Sequence, residues 1–121
     1  MASGAKKLVH ILRRAKPLTR EEGMKILMRD RFQCQYCGLD GAASFENALM
    51  MTVDFVIPRA LKGKKDPRNL VAACRPCNLL KGRHHFHDLQ EAKQYVLKRR
   101  EEERKEWEKN VAQGRSHKTT A

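Results

Sequence analysis

The chain has no apolar run approaching the roughly 18 consecutive residues that a membrane-spanning helix needs. Its N-terminal LVHIL cluster is too short, and too closely flanked by Lys and Arg, to act as a secretory core. The expectation is therefore a chain with no membrane partner, held in the cytoplasm. Carboxylates are scarce too, with 14 Asp plus Glu against 26 Lys plus Arg, a net charge of +12. The excess is concentrated in the first two thirds, where residues 1–33 carry nine basic and three acidic side chains and residues 34–87 carry eight and four. Such a field draws in phosphate backbones by counterion release, without reading their sequence. A merely soluble basic surface is the competing account. With 121 residues the chain has room for one modest domain with extensions and a small core.

Cysteine is also sparse, and its four copies fall into two close pairs, Cys34/Cys37 and Cys74/Cys77, with 36 residues between them. Reducing thiol pools disfavour structural disulfides in the expected compartment. Two residues between thiolates let the backbone turn both sulfurs toward one ion, and two such turns complete the four-sulfur shell that zinc prefers. Four protein ligands leave no open position for water, so the predicted zinc is structural and supports a core too small to be secure alone. A competing thioredoxin-like redox pair would need only one such pair beside a βαβ pattern, which is absent, and the paired spacing does not favour an iron–sulfur cluster.

Thr19 and Glu22 have the form of a capping box, and Met24, Ile26, Leu27 and Met28 predict an apolar helical face up to about Arg31. After the knuckle CQYC, a polar loop through GAAS leads to a predicted strand, MTVDFVI, ended by Pro58. A basic loop, RALKGKKDPR, follows, then a second strand candidate, NLVAA, the knuckle CRPC and a helix from about Asn78. Asp88 with Glu91 predicts another capping box, opening a helix to about Ala112 that is dense in opposite charges at i,i+4. That mixed-charge face reads as scaffold or a coiled contact, with a DNA or partner contact as the alternative. No internal repeat and no base-reading helix stands out.

Strand, basic loop, strand and helix between and after two knuckles describe a ββα unit clamped by zinc. The stretches RDRFQCQYCG (29–38), TVDFVIPRALKGKKDPRNLVAAC (52–74) and RPCNLLKG (75–82) resemble the zinc-containing branch of the HNH endonucleases. The resemblance covers about residues 29–82, under half of the chain, with several motifs in family order. It implies an α+β fold with a small zinc-stabilised ββα-metal core and flanking helices. The implied organisation is a basic extension at 1–18, the core domain at 19–87, a charged helix at 88–112 and a disordered tail at 113–121.

The resemblance also assigns roles. It makes Asp54 and Asn78 ligands of a catalytic divalent ion, Mg²⁺ or Mn²⁺, and Asn69 the asparagine that braces the loop and orients the general base. Hydrolysis of a DNA phosphodiester suits a hard cation held by oxygen ligands. Arg59, Lys62, Lys64, Lys65, Arg68, Lys81 and Arg83 are the implied phosphate contacts. A homodimer or a larger DNA-processing assembly fits such an enzyme.

One position departs from the family pattern, because Phe55 stands where the general-base histidine belongs. A phenyl ring has no nitrogen to accept a proton, so the expectation is a metal-dependent endonuclease with impaired catalysis. His84, His85 or His87 could supply a replacement imidazole, or serve as surface or phosphate contacts. Structural readings stand beside these roles. Val53, Phe55 and Ile57 alternate onto one strand face and would extend the core, Asp54 could pair with a lysine or cap a turn, and Asn78 could cap its helix. The alternative function is a non-catalytic, zinc-stabilised module that only binds nucleic acid.

Overall fold

The Thr19–Glu22 capping box forms as the sequence predicts. The Thr19 hydroxyl accepts from the Glu22 amide and the Glu22 carboxylate accepts from the Thr19 amide, opening helix α1 (Arg20–Arg29). The computed structural model describes residues 16–116, so the LVHIL cluster and the last five residues lie outside the described part. After α1 the elements run α2 (Phe45–Leu49), β1 (Met51–Phe55), β2 (Leu70–Cys74), α3 (Arg75–Lys81) and α4 (Leu89–Ser116). Short 3₁₀ turns at Arg59–Leu61 and Pro67–Asn69 interrupt the loop between the strands.

The strands pair antiparallel, with Met51 opposite Cys74, Asp54 opposite Val71 and Phe55 opposite Leu70. β1 stops two residues short of the predicted Ile57. From Val56 onward the chain bends into the loop, although the Val56 amide still reaches the Asn69 carbonyl. β2 is buried throughout, and Ala72, Ala73, Cys74 and Cys77 form the centre of the core with Tyr36, Val56 and Val96.

Several boundaries differ from expectation for local reasons. The GAAS loop runs into α2, whose Ser44 hydroxyl accepts from the Asn47 amide; five residues are too few to leave a periodic pattern in the sequence. α3 begins at Arg75, three residues before Asn78, because Pro76 suits a first helical turn. Asn78 is thus inside the helix and does not cap it. At α4 the Asp88 carboxylate accepts from the Glu91 amide, but the return bond from Glu91 goes to the His87 amide. α4 also continues to Ser116, so residues 113–116 are helical and only the last five residues of the expected disordered tail remain undescribed. It packs through Ala92 and Val96; further along, Arg99–Glu103 and Arg104–Glu101 pairs lie on its exposed surface.

A clamp absent from the sequence reading joins α1 to β2. Arg29 donates to the carbonyls of Pro67 and Leu70, and Asp30 Oδ2 accepts from the Ala72 amide at 2.8 Å while pairing with Arg29 at 2.9 Å. The adjacent Arg31 and Phe32 both take left-handed backbone (φ 57° each), and the Phe32 amide bonds back to the Leu27 carbonyl, turning the chain into the first knuckle. Asp30→Ala would leave the Ala72 amide unpaired beside the core, at a cost of about 1–3 kcal/mol. Urea unfolding should show a lower midpoint with an unchanged slope, and an unchanged midpoint would remove the clamp from the account.

Candidate functional site

The two knuckles meet at the end of the sheet. The sulfurs of Cys34, Cys37, Cys74 and Cys77 all lie within 4.8 Å of one another, and those of Cys37 and Cys74 are 3.7 Å apart. A tetrahedron with Zn–S bonds of about 2.3 Å has edges of about 3.8 Å, so the four thiols fit a zinc ion closely. Cys37 is half-buried and the other three are buried. The Cys37 amide points at Cys34 Sγ (3.5 Å), and Arg100 of α4 brings its guanidinium to 3.6 Å from Cys77 Sγ. Four thiolates around Zn²⁺ leave a charge of roughly −2, which N–H and guanidinium donors of this kind offset.

Asp54 is the penultimate residue of β1 and 5% exposed. Its Oδ2 accepts from the Tyr36 hydroxyl and lies 3.4 Å from Lys81 Nζ; Lys81, itself 1% exposed, also donates to the Phe55 carbonyl at 3.0 Å. Burial pushes the Asp54 carboxyl up, opposed by the Lys81 charge and the Tyr36 hydrogen bond. Burial likewise pushes the Lys81 ammonium down against the pull of Asp54, and pushes the Tyr36 phenol well above its ordinary range, with Asp54 adding to that rise. Of the structural readings of Asp54, pairing with a lysine is the one that the structure shows.

Asp54, Phe55, Asn78, Lys81 and Gly82 line one small open pocket of about 180 Å³, together with Val53, Pro58 and Arg59. β1 supplies the first two residues, and α3, which the second knuckle starts, supplies Asn78 and Lys81. Phe55 does not extend the core as the alternation predicted. Val56 points inward while Val53, Phe55 and Ile57 are only half-buried, and the Arg59 guanidinium lies 6.0 Å from the phenyl centroid. Asn69 lies outside this lining and spans the base of the loop. Its Oδ1 accepts from the Ile57 amide at 2.8 Å, and its Nδ2 donates to the carbonyls of Ile57 (3.1 Å) and Lys64 (3.0 Å).

The basic residues named from the sequence divide into groups. Lys62, Lys64 and Arg83 are exposed. Lys65 pairs with Glu22 at 2.8 Å, and Arg68 folds onto Asp66 at 3.0 Å. Lys65 and the Thr19 amide hold the Glu22 carboxyl down at about 2. Lys81 points inward with its charge engaged by Asp54, which does not match its expected place on a phosphate-facing surface. His84 Nε2 contacts the Tyr95 hydroxyl at 3.0 Å, and its ring lies against Tyr95 and Phe86; none of His84, His85 and His87 lines the Asp54 pocket.

Zinc-type knuckles, a ββα order and a carboxylate beside an asparagine form the setting for the comparison with known proteins. The profile of the HNH endonuclease family matches residues 34–84. This segment is an HNH domain. Over 57 residues, 46% of the chain, it is 42% identical to the CRISPR-associated endonuclease Cas9 of Corynebacterium diphtheriae. The matched stretch spans 5% of that relative's length. No solved structure matches the chain.

Sequence reasoning missed Tyr36 and the inward turn of Lys81 in this HNH domain. The Tyr36 signal was an aromatic inside the knuckle CQYC, a place where solvent-facing residues are common. Asn69→Ala should unlatch the loop from Ile57 to Lys64, lowering stability by about 1–3 kcal/mol. Limited proteolysis should then cut within residues 57–69 first, whereas retention of the parent's cleavage pattern and melting temperature would show that the loop holds without it.

Proposed function

We propose that the chain is a metal-dependent endonuclease of the HNH type that hydrolyses DNA phosphodiester bonds, with its catalysis impaired by Phe55. The observation that carries this reading is the shared pocket, whose lining includes Asp54, Phe55 and Asn78. Oxygen donors of this kind suit Mg²⁺ or Mn²⁺ better than a soft ion, and Asp54 with Asn78 would hold it. When bound, such an ion supplies positive charge at the scissile phosphate and its leaving oxygen.

The chain's own residues supply the remainder. Asn69 fixes the loop that follows β1, which sets where residues 57–59 stand relative to the pocket. Lys62, Lys64 and Arg83 present cations to the DNA backbone, and Arg59 lines the pocket itself. The step left without a group is removal of a proton from the attacking water. Phe55 offers only a hydrocarbon face, and absence of a general base typically costs about 10²–10⁴ in rate. The four thiolates hold a structural zinc, and a reducing cytoplasm keeps them free to do so.

Phe55 also favours a second reading, in which the domain keeps its zinc-clamped fold and basic surface and only binds nucleic acid. Plasmid cleavage with Mg²⁺ or Mn²⁺ separates the two, comparing the parent chain, Phe55→His, and Phe55→His combined with Asp54→Ala. The expected result is nicking or linearisation by Phe55→His at least a hundredfold faster than by the parent, lost again on adding Asp54→Ala. Absence of cleavage by every variant while DNA still shifts in a gel would favour the binding module. Rapid cleavage by the parent, abolished by His84→Ala, would instead make His84 the base.

A further inference from the structure

The carboxylate at the heart of the pocket is held from two directions. Tyr36 lies inside the first knuckle, between Cys34 and Cys37, and is 1% exposed; its hydroxyl donates to Asp54 Oδ2. Lys81 approaches the same oxygen from the last residue of α3 and ties down the Phe55 carbonyl as well. A carboxylate at this depth without partners would take up a proton or turn toward solvent. A phenylalanine at position 36 would fill nearly the same volume without burying a hydroxyl that needs a partner. The phenol therefore adds direction to the site as well as bulk.

We propose that Tyr36 is a positioning residue: its O–H links the zinc knuckle to Asp54 and fixes the carboxylate in the orientation that, with Asn78, receives a divalent cation in the pocket. The inference rests on the reading of Asp54 as a cation ligand. Lys81 supplies the counter-charge that lets the carboxylate stay buried, and Tyr36 sets its direction. Because Cys34 and Cys37 flank Tyr36, the knuckle geometry that zinc imposes reaches the pocket through one hydrogen bond. Tyr36 does not touch the reacting atoms and acts only through Asp54.

The test uses the zinc-loaded full chain and measures Mn²⁺ binding from the electron paramagnetic resonance signal of the free ion. Zinc content and melting temperature are followed in parallel for the parent, Tyr36→Phe and Asp54→Ala. The parent should bind Mn²⁺ and Asp54→Ala should not. Tyr36→Phe should keep its zinc and a cooperative melt while its Mn²⁺ dissociation constant rises about tenfold, a change that a purely structural role would not produce in a chain that remains folded. A second measurement keeps the hydroxyl at position 36. Of the two tyrosines in the chain, Tyr95 is removed as Tyr95→Phe, and the remaining residue is labelled as 3-fluorotyrosine. Its ¹⁹F resonance should move on titration with Mg²⁺, with the same dissociation constant that calorimetry gives. Unchanged Mn²⁺ affinity in Tyr36→Phe, or a ¹⁹F signal indifferent to Mg²⁺, would overturn the positioning role while leaving Asp54 as a ligand. Mn²⁺ binding that survives Asp54→Ala, or that is absent from the parent, would overturn the cation-site reading and the role of Tyr36 with it.

Discussion

Four thiols converging on one point are the constraint on which the rest of the structure depends. Among the described residues the sheet has only two strands, and half of its small buried core is alanine and cysteine. Neither strand nor helix could be secure on such a core alone. A metal shared by the two knuckles would fasten the turn after α1 to the junction of β2 and α3. That single junction sets the start of α3, and therefore where Asn78 and Lys81 stand relative to β1.

The second organising interaction is the buried trio of Asp54, Lys81 and Tyr36. A charge pair this deep is costly to form, and removing one partner strands the other, so its members constrain one another strongly. The trio draws its members from the first knuckle, β1 and α3, and the thiols join the first and last of these. Fold and pocket are thus two readings of one set of contacts. The loop from Ile57 to Asn69 is attached to this frame by Asn69 and by Gly63, where a Cβ would come within 1.7 Å of the Ile57 carbonyl oxygen. Only a glycine fits there, which keeps the basic loop close to the end of β1.

Much of this was legible from residue spacing. The cysteine pairs are a local code, because two intervening residues define a turn whatever surrounds it, and the Thr19–Glu22 cap is equally local. Features set by tertiary packing were not legible. Alternation along β1 placed Val53, Phe55 and Ile57 on the core side, yet α3 covers the other face, where Asp54 and Val56 point. Lys81 read as a surface cation because nothing in its neighbours announces a buried carboxylate 27 positions earlier. Asp30 looked like the end of a helix, and its bond to the Ala72 amide crosses 42 positions. Each of these misses is set by long-range contacts, polar or packing, of the kind that period and propensity do not encode.

The most direct measurement of the central claim is metal content against structure. Native mass spectrometry of the purified chain should show one zinc per molecule. Stripping it with a strong chelator should abolish cooperative unfolding and much of the helical circular dichroism, both returning with one equivalent of Zn²⁺. A chain that loses its zinc yet melts at the same temperature with the same spectrum would contradict the account, because the knuckles would then be held by packing alone.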